Sequence, residues 1–271
     1  MIDPKIQSEL REKFNPDGSL LRDTQLRMLE MLQFIDRICN ENNIPYWLSS
    51  GTCLGAVRHG GFIPWDDDVD IEMMEKDYRR FSSIVQEIKD SDYVLQTSET
   101  DSAYFPKFGK LRDTNSIIRE KYQTDHQYKY NGLFIDIFPM KESSSKRIHR
   151  LGYYPLLLVT FGLPKLYYTK TLTTYIQKLG HIIINSVNVI LGIFQLIGKK
   201  KYIRHVSPNF YSLPRVKNEI FPLQRVLFEN IYLPVPGNVG AYLIRLFGSN
   251  YMELPPLEKV KKHIAHIKIL K

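Results

Sequence analysis

Cysteine is nearly absent from this chain of 271 residues, which has only Cys39 and Cys53. They form no CxxC pair and no disulfide framework. That scarcity excludes a disulfide-stapled secreted scaffold and points to a reducing, cytosolic setting. The opening residues, Met-Ile-Asp-Pro-Lys-Ile-Gln, lack the apolar run of a signal peptide, so secretion is not expected. No helix-turn-helix, RNP or zinc-finger pattern occurs, which argues against nucleic acid as a partner. Internal repeats and low-complexity tracts are missing too. Acids are outnumbered, 29 against 37 basic residues, for a net charge of +8. Such an excess suits a polyanionic substrate or an anionic membrane surface.

What is present is enough for a folded chain. Hydrophobic residues make up 43% and charged residues 24%, the balance of a globular protein. The length allows one large domain, or a domain with a sizeable insertion. Against the basic background, Asp66, Asp67, Asp68 and Asp70 crowd into five residues. Buried unpaired carboxylates are costly, so such a cluster is poor core material. It is good material for holding a divalent cation by oxygen ligands. The preceding Ser50-Gly51-Thr52 reads as a turn able to present backbone N–H groups to a phosphate.

Periodicity orders the rest. Residues 1–18 are polar, with a turn at Pro16-Asp17-Gly18. An apolar face through Met28, Met31, Leu32, Ile35, Ile38 and Cys39 predicts a helix over 20–41. A buried strand is expected at 46–48, a short helix at 53–58, and an alternating strand at 69–73. On that strand Asp68, Asp70 and Glu72 should point the same way. A helix is expected over 75–90, then strands at 93–96, 105–112, 116–119 and 133–138. The last of these holds Asp136 in an apolar run and should stop at Pro139. Residues 151–203 are apolar with few acids, and Lys199-Lys200-Lys201 closes the stretch. His181, Asn185, Asn188 and Gln195 argue against a lipid-exposed span, so amphipathic helices are expected, of the kind that can lie at a membrane interface. A short helix over 239–247 should end at Gly248, and Pro255-Pro256 introduces a basic terminal segment. His263 and His266 have no third ligand in view and read as surface or core histidines rather than a zinc site.

The residue types suggest phosphoryl transfer. Asp68 and Asp70 are the candidate ligands for Mg²⁺ or Mn²⁺. Asp136 is the candidate third carboxylate, as ligand or as base, unless backbone N–H groups satisfy it structurally. Two ions roughly 3.5–4 Å apart can clamp the attacking and leaving oxygens. Arg58, His59, Lys110 and Arg112 are candidates to neutralise a diphosphate, though Lys110 and Arg112 alone would read as surface charges. Trp65 or Tyr46 can stack on a base.

The stretch Ser-Ser-Gly-Thr-Cys-Leu-Gly-Ala-Val-Arg-His-Gly-Gly-Phe-Ile-Pro-Trp-Asp-Asp-Asp-Val-Asp-Ile, residues 49–71, closely resembles the hallmark of the LicD family. That family comprises phosphocholine-transferase-like proteins related to the fukutin group of ribitol-phosphate transferases. Gly-Leu-Phe-Ile-Asp-Ile-Phe-Pro-Met, residues 132–140, resembles its second motif. Leu-Phe-Gly-Ser-Asn-Tyr-Met-Glu-Leu-Pro-Pro, residues 246–256, resembles its third. The resemblance runs from about residue 20 to the end and is weakest over 145–210.

The resemblance implies an α/β (α+β) fold of nucleotidyltransferase type: a small mixed sheet flanked by helices. It implies a catalytic core over 1–145, a helical apolar insertion over 146–210, and a C-terminal region over 211–271 packed on the core. In such a fold Gly51-Thr52, Asp68 with Asp70, and Asp136 make the site. The implied reaction transfers phosphocholine or a related alditol phosphate from a CDP-linked donor. The acceptor would be a cell-surface glycan, lipopolysaccharide or teichoic-acid precursor. Cys53 replaces a more usual aliphatic residue, and Ser249-Asn250 departs from a pattern that is often acidic. The expected setting is cytoplasmic, at the inner face of the membrane if the acceptor is lipid-linked. Two competing readings are a glycosyltransferase using Asp68-Val69-Asp70 as a DxD metal site and a non-catalytic, membrane-associated glycan-assembly protein.

Overall fold

A computed structural model describes residues 1–104, 106–120, 128–145, 198–206, 213–259 and 264–269, with isolated helical positions between 175 and 193. The elements run α1 (Pro4–Phe14), α2 (Leu20–Glu41), β1 (Tyr46–Leu48), α3 (Ser50–His59), β2 (Asp70–Met74) and α4 (Glu75–Glu87). Next come β3 (Tyr93–Gln96), β4 (Gly109–Asp113), β5 (Ser116–Glu120), β6 (Phe134–Ser143), β7 (Tyr202–His205) and β8 (Arg215–Val216). The chain closes with α5 (Lys217–Ile220), β9 (Gln224–Phe228), β10 (Ile231–Val235), α6 (Val239–Phe247) and β11 (Ile264–Ile269).

The main sheet is mixed, as expected. Its order is β1-β2-β6-β4-β3, with β7 on the second half of β6 and β8 beyond it. Strands β2 and β6 run parallel, and the other pairs are antiparallel. Side chains alternate across a pleated strand, so residues in register share a face. One face carries Ile71, Met73, Ile135, Ile137 and Leu111, all fully buried. Helices α2 and α4 lie against this sheet. Tyr46 donates to Asp36 of α2 at 2.8 Å, and Tyr93 meets Phe34 edge-on at 5.0 Å. The opposite face carries Asp70, Glu72, Phe134, Asp136, Phe138, Lys110 and Arg112.

Several boundaries differ from expectation. Residues 4–14 form a helix, because Asp3 caps it by accepting the Lys5 N–H at 2.8 Å and Pro4 sits in its first turn. Helix α3 starts at Ser50, so Ser50-Gly51-Thr52 is the first turn of a helix and not a separate turn. Helix α4 stops at Glu87, with Asp90 beyond it at φ +57°. Strand β4 starts at Gly109, later than expected. Strand β6 continues through Pro139 to Ser143. It pairs with β4 over 134–137 and with β7 over 140–143. Pro139 thus falls where the antiparallel partner changes, and a missing N–H is tolerated there. Its carbonyl still accepts the Val206 N–H at 2.9 Å. The terminal basic segment ends in β11, which pairs with β5. Helix α6 ends at Gly248 as expected. Most of 151–203, and His263, lie outside the described residues; among the described residues no helix is long and apolar enough to cross a membrane.

Candidate active site

The register of three strands sets the polar centre. Asp70 on β2 lies beside Asp136 on β6, and Asp136 lies beside Lys110 on β4. All three side chains leave the same face. Lys110 Nζ sits 2.8 Å from Asp136 Oδ1 and 3.2 Å from the centre of the Phe134 ring. Its ammonium is therefore held by a carboxylate and an aromatic face together. Burial, then the charges of Asp68, Asp136 and Asp66, push the Asp70 carboxyl well above its ordinary range, with Lys110 opposing. Four carboxylates therefore interact at one end of β2. Such a perturbed acid is a mark of functional sites.

Helix α3 enters this centre at its N-terminus. The Ser49 N–H donates to the Asp70 carbonyl at 3.0 Å, and the Asp70 N–H donates to Thr52 Oγ1 at 2.9 Å. Asp70 is thus gripped on both sides of its backbone by the start of the helix. A β-carbon at Gly51 would lie 3.1 Å from Asp66 Oδ2, so the acid cluster closes over this turn. Ser49 stands at the N-cap, yet its side chain caps nothing. Its hydroxyl donates instead to Glu72 Oε1 at 2.7 Å.

Glu72, two residues beyond Asp70, is fully buried. It accepts from Trp47 Nε1 at 2.8 Å and from Arg215 Nη2 at 2.6 Å, and His205 Nε2 is 3.4 Å away. Burial alone would raise its pKa, but Arg215 and His205 hold it below the ordinary carboxylate range. The Arg215 guanidinium lies 5.4 Å from the centre of the Tyr242 ring. The Tyr242 oxygen is 3.1 Å from Ser49 Oγ and accepts the Ser50 N–H at 3.2 Å. Ser50 has φ +47°, a conformation unusual for a residue with a side chain.

The structure therefore brings Asp68, Asp70, Asp136, Lys110, Ser50, Gly51 and Thr52 to one region, and deploys the other candidates differently. Arg58 is buried, donates to the carbonyls of Tyr251 and Glu253 at 3.0 Å each, and feels the charge of Asp66. His59 is buried, with Nε2 accepting from Arg58 Nε at 2.9 Å and Nδ1 2.6 Å from Gln7 Oε1. Arg112 has no exposed surface and donates to Gln96 Oε1 and the Gly132 carbonyl, both at 2.8 Å. Trp65 packs edge-on against Phe14 and His59, and Tyr46 is buried under α2, so neither offers a face to a base. Glu72 was legible as a third acid on the strand face. Nothing in the sequence marks Arg215 or Tyr242, because their roles arise from tertiary packing.

Hard carboxylate oxygens in excess of nearby positive charge fit a divalent cation in donor chemistry. Among the described residues, no three carboxylate, imidazole or thiol groups enclose an ion as they stand. The fit therefore rests on donor type and charge, with Asp68, Asp70 and Asp136 as the groups that would hold it.

Residues 43–155 match the family described as LicD/FKTN/FKRP, nucleotidyltransferase domain. The chain is 28% identical over 261 residues to the lipopolysaccharide cholinephosphotransferase LicD of Haemophilus influenzae, covering 90% of this chain and 95% of that protein. It is 35% identical over 88 residues to the ribitol-5-phosphate transferase FKTN of Mus musculus, a stretch that is 32% of this chain and only 17% of that protein. A stretch of 48 residues is 40% identical to the ribitol 5-phosphate transferase FKRP of Homo sapiens.

Proposed function

We propose that this chain is a LicD-type phosphotransferase moving phosphocholine, or a related alditol phosphate, from a CDP-linked donor to a cell-surface glycan or lipid-linked glycan precursor. The observation that carries this reading is the shared sheet face of Asp70, Asp136 and Lys110, at the start of a helix pinned to Asp70. The likeness to LicD over nearly its whole length supports the same reading. Bound at Asp68, Asp70 and Asp136, Mg²⁺ or Mn²⁺ would offset negative charge on the donor's diphosphate. The chain's own residues supply the rest. The first turn of α3 offers backbone N–H groups at Gly51 and Thr52 to phosphate oxygens. Lys110 orients Asp136 and stands ready to meet the donor's phosphate. As the acceptor oxygen attacks phosphorus and CMP leaves, Asp136 either helps hold the metal or takes the hydroxyl proton. Arg58 and Arg112 serve this reading as supports, because their donors go to backbone carbonyls and to Gln96.

The test is a donor screen. Purified protein is incubated with CDP-choline, CDP-ribitol and CDP-glycerol in the presence of Mg²⁺ and an acceptor glycan, and CMP is followed. One donor should yield CMP, and Asp70→Asn should abolish it while the protein stays folded. Activity retained by Asp70→Asn would sink the assignment, and release of UDP or GDP from sugar nucleotides would replace it with glycosyl transfer.

A further inference from the structure

We infer that Tyr242, from the C-terminal helix α6, is a positioning residue for Asp70. This rests on the reading of Asp70 as a metal ligand and extends it to a residue far along the chain. The connection is continuous. The Tyr242 oxygen accepts the Ser50 N–H and meets the Ser49 hydroxyl. The backbone of Ser49 and the side chain of Thr52 then hold the carbonyl and the N–H of Asp70. Shifting the first turn of α3 therefore shifts Asp70 with it.

Two features say that the Tyr242 hydroxyl does more than fill space. Ser50 is held at φ +47°, which a serine adopts only when its surroundings impose it. The bond from its N–H to Tyr242 is one such constraint. Ser49 sits at the N-cap but gives its hydroxyl to Glu72, so it does not cap its own helix. The start of α3 is fixed from outside, by Tyr242 and by the Glu72–Arg215 pair, both held by the C-terminal part of the chain. Groups behind a ligand that set its orientation commonly change metal affinity or activity 10–100-fold when removed.

Tyr242→Phe removes the oxygen and keeps the ring beside Arg215. Mn²⁺ binding, measured by electron paramagnetic resonance on the full chain, should weaken about tenfold, near the low end of that range. The thermal midpoint should fall by only a few degrees, as loss of one buried hydrogen bond does, and kcat should fall at limiting Mn²⁺ and recover at saturating Mn²⁺. Ser49→Ala removes the hydroxyl contact with Tyr242 while keeping the Ser49 N–H bond to Asp70, so it should weaken Mn²⁺ binding in the same direction and by less. The double variant should lose no more than the worse single variant, as members of one chain of contacts do. Unchanged Mn²⁺ affinity in both single variants, or fully additive losses, would overturn the inference alone. A wild-type protein that binds no Mn²⁺ would overturn the proposed metal site and the inference with it.

Discussion

Glu72 shows what a single buried charge can do and what it demands. Its carboxylate has no exposed surface and depends on Arg215, Trp47 and Ser49 for partners. Removing one member of a buried ion pair typically costs about 3–5 kcal/mol, because the other is left charged and unpaired. Arg215→Leu should therefore destabilise the protein by about that amount in urea titrations, more than Lys141→Ala, whose partner Glu75 also has Arg79. His59 makes a different kind of prediction. Burial, and then the neighbouring Arg58, lower its pKa from 6.5 to about 3. The folded state keeps the ring neutral while the unfolded chain takes up a proton below pH 6.5. Stability from this group is full above that pH and drains away as the pH falls toward 3. Between pH 7 and 5 the loss should be about 2 kcal/mol. His59→Gln can keep both hydrogen bonds without titrating, and urea titrations at the two pH values should show that loss reduced.

The same residues show what the sequence could and could not tell. Asp70 and Asp136 were legible because acids inside apolar strands require an explanation. Arg58 and His59 were read as diphosphate ligands because they precede the acid cluster in sequence. Arg58 lies seven residues after Gly51 on α3, about 10 Å up the helix axis. From there its guanidinium meets the backbone of residues 251 and 253.

At the scale of elements, the site is made by register. Strand β6 carries Phe134, Asp136 and Phe138 on the acidic face and Ile135 and Ile137 on the core face. A slip of one residue would exchange the two sets. Gly132, just before β6, helps fix that register. A β-carbon there would lie 1.7 Å from the carbonyl oxygen of Asp113, a backbone atom that cannot rotate away. Gly132→Ala should therefore cost about 2–4 kcal/mol and reduce transfer, because Asp136 and Lys110 would no longer align. Chemical denaturation together with the CMP assay checks both. The alternation that reveals a strand continues past a proline when the proline's N–H has no partner to lose, which is why β6 outruns its expected end. The start of α3 was hidden for a related reason. Ser-Gly-Thr resembles a turn locally, and the Tyr242 contact that accompanies the helical start at Ser50 comes from far along the chain.

At the scale of the whole molecule, Asp70, Glu72 and Asp136 share one sheet face, while Lys199, Lys200 and Lys201 stand exposed just before β7. Upstream of them, the described helical positions Leu179, Ile182, Ile183, Ile190 and Ile193 are between 53% and 58% exposed. Exposed apolar positions followed by a basic collar match the chemistry of an anionic bilayer surface, where each exposed lysine near the headgroups adds about 1 kcal/mol. A lipid-linked acceptor in the proposed reaction would call for such a contact. Strand β7, which follows the collar, pairs with the far half of β6. The collar therefore leads into the Ser143 end of β6, seven residues along the strand from Asp136. Flotation with vesicles containing phosphatidylglycerol should carry the wild-type protein upward at low salt. Replacing Ile182, Ile183 and Ile190 together by serine should abolish flotation while leaving CMP release from a soluble donor and a soluble acceptor unchanged. Replacing the three lysines by glutamine should weaken flotation and flatten its salt dependence, because the electrostatic share of binding is what salt screens. Equal flotation of the wild type and both variants would show that lipid binding does not reside on this face.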